Sequence, residues 1–253
     1  MQERIIRTIG KRKRFAAPVV AAMLGMAALG LAVPAFSQQQ PPPPGPQEPK
    51  LEDYTPAQRL LYASNHLQSV GASEVLHYTF SRQGSLERPF DDKASMTVDA
   101  VRPDGKKNLT VDFLSGDHHI DMPPFSGFNG NPMLIVFLEH DVKEMSDFTK
   151  GSTLYFRNRI RDAFATAEKA SITPTTVTVD GKSVQAKLLV LEPYVGVPEI
   201  ERFRKFEHKS YQFVVGDGVP GGIYSIRTVT PPESGKGDPV MVETLSYQSK
   251  TKS

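Results

Sequence analysis

Two Asp-Gly dipeptides, Asp104-Gly105 and Asp180-Gly181, each lie between runs in which apolar and polar residues alternate. Asp-Gly suits the positive φ of tight hairpin turns, and a period of two marks a half-buried strand. The first hairpin descends through Met96, Val98 and Ala100 and returns through Leu109, Val111 and Phe113. The second leads into Val184, Ala186, Leu188 and Val190 on one face. Leu76, Tyr78 and Phe80 alternate in the same way, and Tyr211, Phe213 and Val215 return through "GDGVPGG" to Tyr224 and Ile226. "PVMVETLSYQS" reads as a last strand. Hairpin connections impose antiparallel neighbours. Eight or nine such strands must curl or close to cover one apolar face. The expected class is α+β, predominantly antiparallel β: a strongly curved sheet or unclosed barrel with helices on its concave face.

Three segments supply those helices. Thr55-Pro56 caps one predicted to run to Gly71, with Leu60, Leu61, Ser64 and Leu67 on its inner side. Asn131-Pro132 opens a second, whose inner side is predicted at Leu134, Leu138, Val142, Met145 and Phe148. "EHD", Glu139 to Asp141, is placed on its solvent side. A third lines up Phe156, Ile160, Ala163, Phe164 and Ala167, leaving Arg157, Arg159 and Arg161 outside.

The N-terminus reads as an export signal. Arg4, Arg7, Lys11, Arg12, Lys13 and Arg14 precede an uncharged stretch from Ala16 to Phe36, and small residues Ala35 and Ser37 suit cleavage after Ser37. The expected destination is the periplasm. The alternative is an uncleaved inner-membrane anchor over 16–36 that leaves the rest facing the periplasm. Residues 38–53 form a Pro-rich spacer, and 54–250 a single domain. Removing the signal leaves 24 basic and 27 acidic residues, so the basic balance of the whole chain does not indicate nucleic-acid binding. The chain contains no cysteine, which rules out both disulfides and a lipid-modified N-terminal cysteine.

The usual catalytic signatures are missing. There is no G-x-S-x-G elbow, phosphate loop, dinucleotide fingerprint or H-E-x-x-H pair. His119 and Asp121 could share a face, but the six histidines follow no familiar ligand spacing, so neither a metal site nor a cofactor is expected. Arg157, Arg159 and Arg161, with Arg202, Arg204 and Lys205, read as a solvated, salt-paired face beside Asp162, Glu199 and Glu201.

The order of export signal, N-terminal helix, antiparallel strands, apolar mid-chain helices and further strands resembles the periplasmic lipoprotein-carrier (Lol-like) superfamily across about Tyr54 to Ser249. The resemblance is architectural and transfers no functional residue. It implies an unclosed barrel whose helices cover an apolar cavity. On that reading the chain is a monomeric, non-enzymatic carrier or chaperone for a lipid or acylated protein. Leu134, Leu138, Val142, Met145, Phe148, Val111 and Phe113 would then line the cavity. The alternative is an envelope interaction or sensor module with a filled core, possibly partnered by envelope membrane proteins.

Overall fold

The structure is a computed structural model and is described for residues 50–252. The segment Glu48–Ser253 forms one compact unit. The proposed signal and residues 38–49 of the Pro-rich spacer lie outside the described residues.

Nine strands form one antiparallel sheet: β1 (Glu74–Gly84), β2 (Phe90–Val101), β3 (Lys107–Phe113), β4 (Phe125–Phe128), β5 (Ala170–Val179), β6 (Lys182–Leu191), β7 (Ser210–Val215), β8 (Ile223–Thr230) and β9 (Met241–Lys252). Their spatial order is β4-β3-β2-β1-β9-β8-β7-β6-β5. Two four-strand meanders are thus joined by the last strand, which pairs with β1 on one side and β8 on the other. The sheet does not close. Its edges are β4, only four residues long, and β5, which carries Pro174; both features discourage further pairing at an edge.

Both Asp-Gly turns form. Asp180 and Gly181 have φ of 49° and 74°, the double positive φ of a two-residue hairpin turn. Val98 faces Leu109 and Met96 faces Val111, as the first hairpin requires. On β6 the expected face holds only in part. Leu189 and Leu191 enter the core, while Val184 and Ala186 lie against the β7–β8 loop at Gly218 and Gly216.

One helix precedes the first meander, and two lie between the meanders in sequence. The first is shorter than predicted. Thr55 does cap it: its hydroxyl accepts from Gln58 N at 3.2 Å, and Gln58 Oε1 accepts from Thr55 N at 2.9 Å. The helix α1 (Pro56–Gln58) then widens into a π turn, Arg59–Ala63, and stops. The Ser64 hydroxyl donates to Arg59 O, and Leu67 N leaves the helical ladder for Asn129 O. α2 (Met133–Thr149) follows the forecast closely in extent, while α3 (Thr153–Ala165) ends before the expected Ala167, which falls in a 3-10 turn, Ala167–Lys169. α3 buries Phe156, Ile160, Ala163 and Phe164, as its spacing predicts.

One side chain fixes the start of α2. Buried Asn131 accepts from Met133 N at 3.0 Å and donates to Tyr78 Oη at 2.9 Å and Gly221 O at 2.8 Å. It therefore ties the helix to β1 and to the glycine-rich loop. Gly221 has φ +76°, and a Cβ there would meet Leu76 Cδ1 at 2.3 Å, so the loop can approach only as glycine. Replacing Asn131 by Ala strands buried polar groups and is expected to cost about 1–3 kcal/mol. In a thermal melt that is a fall of roughly 3–10 °C for a domain of this size; an unchanged melting temperature would remove Asn131 from this role.

Candidate functional site

Strand register builds a row across the sheet. Arg82 on β1 faces Glu243 on β9, Glu243 faces Thr228 on β8, Thr228 faces Tyr211 on β7, and Tyr211 faces Leu191 on β6. Directly opposed residues share a face, so this row lies on one side of the sheet. All five are buried. Two residues along each strand runs an apolar row: Phe80, Leu245, Ile226, Phe213 and Leu189. The core-facing side thus carries a charged and polar stripe beside a purely hydrophobic one.

α2 completes the stripe. "EHD" is not on its solvent side. His140 and Asp141 are buried, and only Glu139 reaches outward, where it receives two hydrogen bonds from Arg157. The buried face includes Met133, Phe137, His140 and Asp141 beside the predicted Leu134, Val142 and Met145, while Leu138 and Phe148 are half-buried. The physical reason is that the sheet below offers charges of opposite sign, so the polar residues of α2 gain more by turning inward than by hydration.

Two polar groups result. In the first, Arg82 Nε and Nη2 donate to Glu243 Oε1 at 2.9 and 2.6 Å, and Nη2 also pairs with Glu144. His140 Nε2 lies 3.3 Å from Glu243 Oε1 and donates to it. Burial by itself pushes the Glu243 carboxyl up. The hydrogen bond from His140 and the charges of His140, Arg82 and Lys209 outweigh it and hold the carboxyl down at about 2. In the second group, fully buried Lys209 pairs with fully buried Asp141. Tyr211 Oη donates to Asp141 Oδ2 at 2.5 Å, and Tyr194 Oη lies 2.9 Å from Tyr211 Oη, to which it donates in turn. Desolvation, then the Asp141 charge, raises both phenols well above their ordinary value. α2 is held to the sheet by ions as well as by packing.

Two solvent-open grooves flank the ends of α2. At its C-terminal end a groove of about 350 Å³ is lined by Tyr155, Phe156 and Phe203, with Lys150, Glu199 and Arg202 among its polar residues. Gly151 is needed there, since a Cβ would meet the Phe156 ring at 2.8 Å. Tyr155 Oη donates to Glu199 Oε2 at 3.0 Å, and burial and that carboxylate push the phenol up to about 12. At the N-terminal end a groove of about 250 Å³ runs between Leu61, Tyr62, Phe128, Leu134 and Ile135. Tyr62 and Ile135 remain exposed beside it.

Of the residues expected to line a cavity, Leu134, Val142, Met145, Val111 and Phe113 are buried in the main apolar cluster, and Leu138 and Phe148 pack half-buried against it. Only Leu134 also borders one of the two grooves. His118 and His119 fall at the end of a 3-10 turn rather than on a strand, and exposed His119 Nε2 lies 3.1 Å from Asp121. The arginine clusters are largely salt-paired, Arg159 with Asp162 and Arg204 with Glu201. Sequence reasoning missed Arg82 and Glu243. Their signal was present: each continues an inward-facing alternation, Arg82 after Tyr78 and Phe80, Glu243 between Met241 and Leu245.

No protein-family model matches the chain, and no curated protein matches it. Solved structures do. Lipoprotein LppX of Mycobacterium tuberculosis aligns over 76% of this chain and 91% of its own, with 9% identity and a TM-score of 0.29. A LolA superfamily protein of Nitrosomonas europaea aligns over 78% and 93%, with 10% identity and a TM-score of 0.21. A DUF1329 family protein of Desulfovibrio piger aligns over 78% and 90%, with 9% identity and a TM-score of 0.28. At these TM-scores the likeness carries no argument, and the functional reading rests on the chain's own residues.

Truncating one member of a buried ion pair leaves the other charge uncompensated. Asp141→Ala is expected to destabilise by about 3–5 kcal/mol, whereas joint replacement of Asp141 by Leu and Lys209 by Met recovers most of the loss. Chemical denaturation of both variants checks this, and equal losses would contradict it. The low Glu243 carboxyl adds a pH dependence. Its stabilisation is complete above the unfolded value near 4.5 and is lost as pH falls toward the folded value of about 2. Glu243→Gln should flatten the stability profile across that interval, and an unchanged profile would count against the assignment.

Proposed function

We propose that this chain is an exported, non-enzymatic carrier that takes an acyl chain of a lipid or acylated protein against the concave face of its sheet. One observation carries the reading. α2 covers an apolar row of an unclosed sheet, is fastened there by ion pairs, and has an apolar groove open to solvent at each end. Grooves of a few hundred Å³ with apolar walls and a few polar groups are ordinary ligand sites. Lys150 and Arg202, both exposed beside the larger groove, suit an anionic headgroup while Phe156 and Phe203 meet the chain. The N-terminal pattern supports export to the periplasm, either as a released protein or held by residues 16–36.

A second reading, an envelope interaction module with a filled core, draws support from the close packing of Val111, Phe113, Val142 and Met145. Bound lipid separates the two. Native mass spectrometry of the chain exported to a bacterial periplasm is expected to show an added lipid or acyl mass that detergent removes. Lys150→Glu combined with Arg202→Glu should reduce retention of anionic lipid about tenfold or more, because it reverses the charge at the groove mouth. The exposed Leu154→Glu change should leave retention unaltered. A lipid-free mass and a lipid-free extract would favour the interaction module.

A further inference from the structure

Leaving His140 aside, the charges around α2 do not balance. Arg82 and Lys209 face three buried or nearly buried carboxylates, Asp141, Glu144 and Glu243. Lys209 and Asp141 neutralise each other, which leaves Arg82 against two carboxylates. Arg82 Nη2 takes Oε1 of both. The other oxygen of each, Glu144 Oε2 and Glu243 Oε2, is buried without a hydrogen-bond partner. Glu243 is fully buried. His140 stands beside both carboxylates, its Nε2 3.3 Å from Glu243 Oε1 and 3.6 Å from Glu144 Oε2. The second distance is too long for a hydrogen bond.

We propose that His140, Glu144 and Glu243 bind a divalent transition-metal ion of the zinc class. One ligand atom from each lies within 4.8 Å of the others. Neighbouring ligands around a tetrahedral zinc ion, with bonds of about 2 Å, sit roughly 3.3 Å apart, close to the two His140 separations. His140 and Glu144 are four apart on α2, so both point off one side of the helix; Glu243 meets them from β9. One imidazole nitrogen and two carboxylates suit zinc better than calcium or magnesium, which prefer oxygen alone. The imidazole packs against Phe80 and Phe113, with centroid distances of 5.6 and 5.7 Å, which fixes its plane. Arg82, hydrogen-bonded to both carboxylates, orients them, the usual task of a group outside the ligand set. On binding, Nε2 gives its proton to solvent and its lone pair to the ion. The Glu144 side chain retains 15% of its exposure, so the ion has a way in and a place for water as a further ligand. The ion would fasten α2 to the central strand of the sheet.

The test uses the full chain, stripped with a chelator and titrated with zinc chloride alone. Calorimetry and elemental analysis are expected to give about one zinc per chain, with proton release. The melting temperature should rise by roughly 5 °C or more at about a hundredfold excess over the dissociation constant. Glu144→Gln should weaken binding at least tenfold, while His119→Ala, at the exposed His119–Asp121 pair, should leave it unchanged. If the Gln variant does not fold, Glu144→Asp, which keeps the charge and shortens the reach, provides the same comparison. No retained zinc and no shift would overturn the proposal. Binding that is lost in His119→Ala and kept in the Glu144 variant would also overturn it.

Discussion

The carboxylate of Glu243 has no exposure to solvent and sits on the middle strand of an apolar sheet. A bare charge there is prohibitively unfavourable, so its partners constrain everything nearby. Arg82 must come from the adjacent strand in one register, because a slip of one residue would send its side chain to the other face. His140 must come from a helix laid over that point. The pairing of β1 with β9 and the seating of α2 are therefore parts of one arrangement. β9 is also the strand that joins the two meanders, so the first and last strands of the sheet close on the same residue.

The stripe gives α2 a different attachment from that of α3. α3 buries Phe156, Ile160, Ala163 and Phe164, and its charges stay at the surface. α2 buries Asp141 and His140 among its apolar residues and meets Lys209, Tyr211, Arg82 and Glu243. Ion pairs in such a place add less net stability than packing of equal volume, but they are intolerant of small displacements. A helix held this way is defined in position.

Much of the sheet was legible because hairpins are local. Asp180-Gly181 specifies its turn, and Val98 and Leu109 find each other through a short loop. The face of α3 was legible because its polar and apolar residues separate cleanly. α2 was harder. Its apolar residues surround it, so periodicity found Leu134, Val142 and Met145 but not the full buried face, and the assumption that "EHD" seeks water misplaced His140 and Asp141. Only the register of β1, β9, β8 and β7 shows that charged groups wait beneath. Register depends on long-range pairing between residues such as Arg82 and Glu243, 161 positions apart, which no local pattern encodes. The first helix failed for a related reason: Leu67 bonds to Asn129, a partner far along the chain.

The claim that buried ions as well as packing seat α2 on the sheet is tested most directly by native-state hydrogen exchange on wild type and Arg82→Met. The substitution keeps bulk and removes the charge that both glutamates share. The account predicts that amides of α2 lose protection by a factor of about a hundred or more, while those of β8 and the β6–β7 pair keep theirs. Equal loss across helix and sheet, or no loss in α2, would contradict it.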